Sequence, residues 1–320
     1  MKLSDRTAQE IDFPACISFI EDFGYYSAEE LESLKEMWIY LFSNGMARSV
    51  VVEDRSQQVN RIVGFGMTVC VERNFVKAIH EGKLLRGPGQ ARQCLGQYML
   101  STYKTKNSPI FRAAAIDRAA NRGIHLLGLH CGVLPGLSAE ERGQVLPIMR
   151  DTVKAYHCDL KLDSFVKEVY TKSDFDRHLK FGFTDWDRNS HTTTSDAVLP
   201  CSYIVGVTRE IALQPGNEER AVRRLFEGYI PTILLTRRLH DVLRAALEGK
   251  SDEEISQEIK ITTDGIRKRW RAIFASVQKQ HPELLPRQHE PGKRGKGKRR
   301  ILLSKLQAGG YALRVRHERA

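Results

Sequence analysis

The chain has 320 residues, enough for about two domains, and its 41% hydrophobic and 28% charged residues are ordinary for a globular protein. It contains no stretch of about 18 apolar residues and no secretion signal near the N-terminus, so we expect a cytoplasmic protein without a membrane span. The net charge of +11 is confined to residues 235–320, which hold 21 basic and 10 acidic side chains against 29 of each in residues 1–234.

The six cysteines predict reduced thiols rather than a disulfide framework, because they are scattered and form no Cys-x-x-Cys pair. His130-Cys131 and His157-Cys158 contain residue types that bind metals. Adjacent residues of a strand point to opposite faces, however, so each pair offers only one ligand to a common site. We therefore predict neither a metal nor a cofactor.

The pattern up to residue 123 predicts a helix, a strand pair and a second helix. Ser27 and Glu30 form a capping box that opens the first helix. Residues 50–52 and 62–71 have the composition of two strands joined as a hairpin. Phe75, Val76 and Ile79 are spaced as on a helix, whereas residues 86–123 follow no clear pattern.

Further along, strand-like and helix-like segments alternate. Residues 124–133 are apolar enough for a buried strand, and Ser138 opens a long amphipathic helix. Mixed elements of this kind predict an α+β sheet domain over residues 1–215. Residues 216–233 follow as a connecting helix, at about 218–229, that ends before Pro231. The remaining elements of the sheet domain are a strand at 165–170, a short helix at 173–181 and a strand at 198–207.

Residues 234–285 predict three short helices. Thr236 is placed to cap the first and Gly249 to end it, while Ser251 and Glu254 form a capping box for the second. Thr262 caps a third helix whose outer face is cationic, an arrangement that fits a major groove. A three-helix bundle with charged solvent faces would explain the apolar spacing but not the basic cluster.

Residues 235–275 resemble the LuxR-type helix-turn-helix family. The match rests on residues such as Leu235-Thr236, Glu248-Gly249 and Ile266-Arg267, which occupy the recurrent positions of that family. Leu239, Lys260 and Gly265 depart from it, Lys260 standing where the family often has the turn glycine. The resemblance implies an all-α DNA-binding domain and these DNA contacts: Thr262, Thr263, Asp264, Arg267, Lys268 and Arg271.

Residues 286–320 predict a basic linker and C-terminal tail. Residues 286–300 contain three Gly, two Pro and seven Lys or Arg, so we expect a flexible segment. Residues 301–306 and 311–315 are apolar and predict a small helix and strand. A cationic linker can add phosphate contacts, although a solvated linker would have the same composition. The candidate contacts are Lys293, Arg294, Lys296, Lys298, Arg299 and Arg300.

Residues 50–208 are faintly similar to the GNAT acetyltransferase superfamily. The similarity rests on Ile62-Val-Gly-Phe-Gly-Met67, on His178-Leu-Lys-Phe-Gly-Phe183 and on the order of strands and helices between them. GNAT enzymes hold the coenzyme A pyrophosphate with backbone N–H groups at a helix N-terminus. The corresponding loop here contains Pro135, which lacks an N–H, and is followed by Glu140 and Glu141, so we expect a sheet domain without catalysis.

Two functions follow from the sequence. The main interpretation is a homodimeric transcription regulator that binds double-stranded DNA and whose N-terminal domain senses a small molecule or acyl-coenzyme A, or dimerises, without catalysis. The alternative is a GNAT-like acyltransferase with an appended DNA-binding domain. Cys131 is interpreted as a buried strand cysteine rather than as a nucleophile, because the sequence supplies no base positioned beside it.

Overall fold

A computed structural model describes residues 1–21, 24–56, 60–84, 94–186, 202–217, 220–286 and 297–316. The chain divides into two compact units, Met1–Tyr229 and Ile230–Ala320.

The first unit is built on a seven-stranded mixed sheet. Its spatial order is β1-β2-β3-β4-β5-β7-β6, and every neighbouring pair is antiparallel except β4 and β5. The strands are β1 (Leu3–Thr7), β2 (Ala47–Asp54), β3 (Arg61–Val71), β4 (Ile124–Val133), β5 (Leu162–Val169), β6 (Thr184–Asp185) and β7 (Tyr203–Thr208).

Helices cover both faces of this sheet. The capping boxes predicted at Ser27 and Ser138 are confirmed, since each serine accepts a hydrogen bond from the backbone N–H of the glutamate three residues on. The helices are α1 (Phe13–Glu21), α2 (Ala28–Ser43), α3 (Arg73–His80), α4 (Leu95–Thr102), α5 (Ala113–Ala119), α6 (Ala139–His157), α7 (Lys172–Lys180), α8 (Arg209–Ala212) and α9 (Arg223–Glu227).

Two of the apolar clusters fix helices on the two faces of the sheet. On one face, α1, α2 and α4 bury Phe13, Trp38 and Met99 against strand residues such as Phe65. On the opposite face α6 packs Val145 and Met149 against Val52 and Val63. Burial of large apolar side chains on both faces is what stabilises a mixed sheet of this kind.

The parallel strands β4 and β5 diverge. Their pairing runs from Ile124↔Leu162 to Gly128↔Lys167. Beyond Gly128, β4 continues to Val133 and stays paired with β3. A bulge in the β3–β4 ladder lies at the same level, between Met67 and Thr68. The strands thus open a cleft in the middle of the sheet, between α6 and α7.

The described residues of the second unit form four α-helices and a small parallel sheet. Strand β8 (Thr232–Leu235) precedes α10 (Arg237–Leu247), α11 (Asp252–Glu258), α12 (Thr263–Gln280) and α13 (Lys298–Gln307), and pairs in parallel with β9 (Ala312–Val315). The three helices predicted over residues 234–285 form as α10, α11 and α12, but the unit also contains the sheet of β8 and β9, so it is not all-α. Leu234 and Leu235 belong to a strand because the distant segment β9 supplies its partner, which helical spacing alone does not reveal.

Two other expectations need correction. Among the described residues of the connecting segment, only Arg223–Glu227 are helical, whereas a helix over about 218–229 was expected. Of the segment predicted as a flexible linker, residues 298–300 begin α13, where the apolar side chains of Leu302 and Leu306 are buried in the core of the second unit. The terminal helix and strand predicted after residue 300 are confirmed.

Candidate active site in the first unit

A cavity of about 760 Å³ lies where β4 and β5 diverge. Its walls come from β4 beyond Gly128, from β5, and from the facing sides of α6 and α7. A volume of this size is typical of a small-molecule site, and a cleft between diverging strands of one sheet is largely preformed.

Cys131 and Lys167 face each other across this cleft. Lys167 Nζ donates a hydrogen bond to Cys131 Sγ at 2.9 Å. Both side chains are half-buried and both line the cavity. Cys131 therefore lies on a strand, as predicted, but is half-buried rather than buried. Sequence reasoning missed Lys167 because its partner is far along the chain and only the parallel register brings them together.

His178 on α7 also lines the cavity. Its Nδ1–H donates to the carbonyl of Asp174 at 2.6 Å, so in the neutral ring Nε2 carries the lone pair. Burial, and secondarily the positive charge of Lys167, lowers the pKa of His178 to about 3. The ring is therefore neutral near pH 7 and lies within electrostatic range of the Lys167 ammonium.

The N-terminus of α6 opens at the mouth of the cavity, where Pro135, Gly136 and Arg142 line it. Ser138 Oγ accepts from the backbone N–H of Glu141, and the Glu141 carboxylate accepts from that of Ser138. These hydrogen bonds lower the pKa of Glu141 and hold its negative charge at the helix start. The anion-binding capacity of this helix end is thus partly used by its own cap.

Cationic side chains surround the cavity further along α6, α7 and α9. Arg150 is paired with Asp151 at 3.1 Å and Arg177 with Asp174. Positive side chains on the walls of a cleft raise the local concentration of an anionic ligand such as a phosphate ester. The cationic residues of the lining are Arg142, Arg150, Lys154, Lys167, Arg177 and Arg224.

A buried polar network lies at the inner end of the cavity, which Glu168 and Tyr170 help to line. The Glu168 carboxylate accepts from the backbone N–H of Leu95 at 2.8 Å, from Ser202 Oγ at 2.5 Å and from Tyr170 Oη at 3.5 Å. Because Glu168 follows Lys167 on β5, the two side chains point to opposite faces of the sheet.

His130 extends this network on the α2 side of the sheet. Trp38 Nε1–H donates to His130 Nδ1 at 3.3 Å, so the neutral ring carries its proton on Nε2, which lies 2.9 Å from Tyr26 Oη. Burial lowers the pKa of His130 to about 3, and burial raises the pKa of Cys94, which contacts Tyr26, to about 11. The network is therefore uncharged at His130 and Cys94 near neutral pH.

The residues predicted to contact DNA on α12 lie on its exposed side. Thr262 Oγ1 caps the helix by accepting from the Gly265 N–H at 3.1 Å, and Lys268 pairs with Asp264 at 3.0 Å. Thr263, Arg267 and Arg271 are exposed. Contact between these side chains and DNA is untested by the structure and stays a prediction.

The basic residues predicted to add phosphate contacts differ in where they lie and in what they contact. Lys293, Arg294 and Lys296 lie outside the described residues. Arg299 is a structural side chain, since Nη1 donates to Asp252 Oδ1 at 2.6 Å, and its guanidinium stacks 4.7 Å from the Trp270 ring centroid. The two neighbours of Arg299 in the first turn of α13, Lys298 and Arg300, are half-buried and exposed respectively.

None of the helices in the described ranges is long and apolar enough to span a membrane. No group of three or more His, Cys, Asp or Glu in those ranges is placed to hold a metal ion.

Solved structures resemble the fold of about two thirds of the chain at low identity. Arabidopsis thaliana NAA60 in complex with acetyl-CoA matches with 14% identity over 65% of this chain and 99% of the other, with a TM-score of 0.41. A variant of the spermidine N-acetyltransferase SpeG from Vibrio cholerae matches with 10% identity over 67% and 97%, TM-score 0.39. The C-terminal condensation domain of Ebony in complex with beta-alanyl-dopamine matches with 11% identity over 65% and 99%, TM-score 0.39.

No protein-family model and no curated protein matches the sequence. These comparisons correct the sequence-based classification of the chain as a LuxR-family, DNA-binding transcription regulator. The three matched structures are an acetyl-CoA complex, an N-acetyltransferase and a condensation domain, and no LuxR-family model matches residues 235–275. The mixed sheet of the first unit agrees with the mixed α/β sheet domain predicted from the sequence.

Proposed function

We propose that the first unit binds an acyl-coenzyme A thioester in the cleft between β4 and β5 and transfers its acyl group. The observation that carries this proposal is the end of the parallel pairing at Gly128↔Lys167, beside a cavity of about 760 Å³. The acyltransferase alternative derived from the sequence thereby becomes the better interpretation.

The cleft suits an extended chain that contains amides. Backbone N–H and C=O groups of a strand point alternately to its two sides, and β4 is paired with β3 on one side as far as Val133. On the other side, the described pairing with β5 ends at Gly128, so the groups from Leu129 to Val133 on that side border the cleft. The pantetheine arm, with two amides, can add to such an edge as a short strand does.

The phosphates of coenzyme A need a binding site other than the N-terminus of α6 alone. The helix end is obstructed as an anion site, because Pro135 before it has no N–H and the capping box uses the Ser138 and Glu141 amides. We therefore assign the phosphates to the cationic side chains of α6, such as Arg142 and Arg150, rather than to the helix N-terminus alone.

The acceptor would meet the thioester from the side of the polar network. Glu168 is a buried carboxylate that lines the inner end of the cavity and is held by three donors. A carboxylate in this position can take the proton that an amine or hydroxyl acceptor loses as it is acylated. This role for Glu168 belongs to the proposal.

Binding of acetyl-coenzyme A to the full chain tests the proposal, measured by isothermal titration calorimetry. Val153 lines the cavity, so Val153→Trp fills part of it and should weaken binding by about tenfold or more. Ala155 is exposed on the same helix, and Ala155→Trp serves as the matched control that keeps wild-type affinity.

Turnover is measured separately as release of the coenzyme A thiol in the presence of a panel of small amines. Absence of acetyl-coenzyme A binding at millimolar concentration, or equal binding by both tryptophan variants and the wild type, would contradict the proposed site.

A further inference from the structure

We infer that Cys131 is a nucleophile that takes the acyl group from the thioester, so that transfer proceeds through an acyl-cysteine intermediate stabilised by Lys167. The inference rests on the proposed function, because it concerns the same cleft. In a direct mechanism the acceptor would attack the bound thioester itself. Here transfer takes two steps, of which the first forms a thioester on Cys131 and the second forms the amide of the product.

Position singles out Cys131 among the described cysteines. Cys16, Cys70 and Cys94 are buried, whereas Cys131 and Cys158 are partly accessible, and of the described five only Cys131 lines the cavity. It stands on β4 three residues beyond Gly128, where the parallel pairing ends, and on the part of the strand that borders the cleft.

Lys167 supplies the electrostatic support that a cysteine nucleophile needs. Its Nζ is 2.9 Å from Cys131 Sγ and is oriented as a donor to sulfur. An ammonium at this distance stabilises negative charge on the sulfur, both when the thiol attacks and when the thiol is the leaving group. His178 is near enough to feel the charge of Lys167 but is itself neutral. It therefore forms no ion pair that would draw the Lys167 ammonium away from Cys131.

The first step exchanges one thioester for another. The Sγ–C(acyl) bond forms, the bond between the acyl carbon and the sulfur of coenzyme A breaks, and the thiol proton of Cys131 ends on the released coenzyme A thiol. The second step forms the bond between the acceptor nitrogen and the acyl carbon and breaks the Sγ–C(acyl) bond. The proton lost by the amine, taken up first by Glu168 as proposed above, ends on the sulfur and restores the Cys131 thiol. Neither step consumes an oxidant or a reductant.

The amine of Lys167 makes a side reaction possible, in which the acyl group moves from Cys131 to the lysine nitrogen. As an ammonium, Lys167 is not nucleophilic, but once deprotonated its nitrogen can take the acyl group from Cys131 at hydrogen-bond distance. The product would be an amide on Lys167. A thioester on Cys131 is cleaved by neutral hydroxylamine and an amide on Lys167 is not, so the two products are distinguishable.

The test uses the full chain and two acyl donors, acetyl-coenzyme A and the small thioester S-acetyl-N-acetylcysteamine, which needs no coenzyme A site. After acid quenching, intact-mass spectrometry should find one added acetyl group, removed by hydroxylamine and mapped to Cys131 by peptide sequencing. Cys131→Ala should abolish this label and lower acyl transfer by about a hundredfold or more, whereas Cys158→Ala should leave both unchanged.

Lys167 variants test its supporting role. Lys167→Met should slow the labelling of Cys131 by S-acetyl-N-acetylcysteamine, and its alkylation by iodoacetamide, by about tenfold, while Lys167→Arg keeps the charge and most of the rate. Circular dichroism shows whether each variant is folded.

The outcomes separate the inference from the proposed function. Acetyl-coenzyme A binding and turnover that persist in Cys131→Ala, or a label on Lys167 that forms equally in Cys131→Ala, would overturn the inference and leave the proposed function standing. Labelling of Cys131 by the small thioester without acetyl-coenzyme A binding would support the nucleophile and contradict the proposed donor. Absence of any Cys131 label with either donor overturns the inference.

Discussion

At the scale of single residues, the packing around Tyr26 shows how closely the polar network is built. Tyr26 Oη contacts His130 Nε2 at 2.9 Å and Cys94 Sγ at 3.5 Å. A Cβ added at Gly96 would lie 1.8 Å from Tyr26 Oη and 2.7 Å from His130 Nε2. The absence of a side chain at Gly96 therefore allows α4 to approach the network, independently of any backbone torsion.

We predict that Gly96→Ala destabilises the protein by about 1–3 kcal/mol, because the methyl group must displace the Tyr26 phenol. Tyr26→Phe removes the oxygen that clashes, so the double variant should lose less stability than the sum of the two single changes. Urea unfolding of the four proteins measures this coupling. Additive losses would contradict the contact between Gly96 and Tyr26.

At the scale of elements, the turn between α11 and α12 contains a lysine in a conformation that favours glycine. Lys260 has φ +54°, and among the described residues it is the one non-glycine with positive φ. The LuxR-like pattern often has glycine at this position, and the structure gives a physical reason for that preference. A side chain in the left-handed region costs roughly 1–2 kcal/mol.

Lys260→Gly should therefore raise the free energy of unfolding of the second unit, by about 0.5 kcal/mol after the added chain entropy of glycine. Lys279→Gly is the matched control, because Lys279 is exposed within α12 and glycine there should cost about 1 kcal/mol. Hydrogen exchange of the α12 amides in urea measures the second unit alone and compares the two. Destabilisation of equal size by both changes would refute the strain at Lys260.

Also at the scale of elements, the contacts of Arg299 hold helix α13 on the other helices of the second unit. Arg299 joins Asp252 and the carbonyl of Lys250 to the face of Trp270. We predict that Arg299→Ala lowers the stability of the second unit by about 1 kcal/mol, through lost stacking and hydrogen bonds. Arg300→Ala, at an exposed position on the same helix, should change it little. Urea unfolding of both variants checks this, and equal effects would argue against the structural role of Arg299.

At the scale of the whole molecule, three buried histidines couple the stability of the first unit to pH. Burial is the largest cause that lowers the pKa of His130 and His178 to about 3 and of His157 to about 4. In the unfolded chain a histidine titrates near a pH of about 6.5. Above that pH the rings are neutral in both states, so they cost no stability.

As the pH falls below about 6.5, the unfolded chain binds protons that the folded chain does not, so the free energy of unfolding decreases. Each ring contributes about 1.4 kcal/mol per pH unit until its folded pKa is reached. We predict that His157→Gln makes the decline between about pH 6 and about pH 5 less steep, whereas His80→Gln, at an exposed position, does not. Hydrogen exchange of β3 and β4 in urea measures this unit alone, and identical slopes in the two variants would contradict the prediction.

Dimerisation stays a prediction from the sequence, since the structure describes a single chain. Contact between the second unit and DNA likewise stays a prediction.

Much of the local structure could be predicted from the sequence because its causes lie within a few residues. The capping boxes at Ser27, Ser138 and Ser251 each need only a glutamate three positions on, and all three form. The strands of the hairpin and the apolar spacing of α12 are likewise short-range signals. The alternation of strand-like and helix-like segments indicated the mixed sheet of the first unit, while the LuxR-like pattern led to a wrong classification of the chain.

The candidate site depends on contacts that no local pattern contains. Cys131 and Lys167 meet because the parallel register of β4 and β5 ends beside them, and the pairing of β8 with β9 joins segments near the two ends of the second unit. Helix caps and strand periodicity are set by the energetics of neighbouring residues along the chain. The cleft and its reactive pair are set by how distant strands pair and where they separate, and only the tertiary structure decided that.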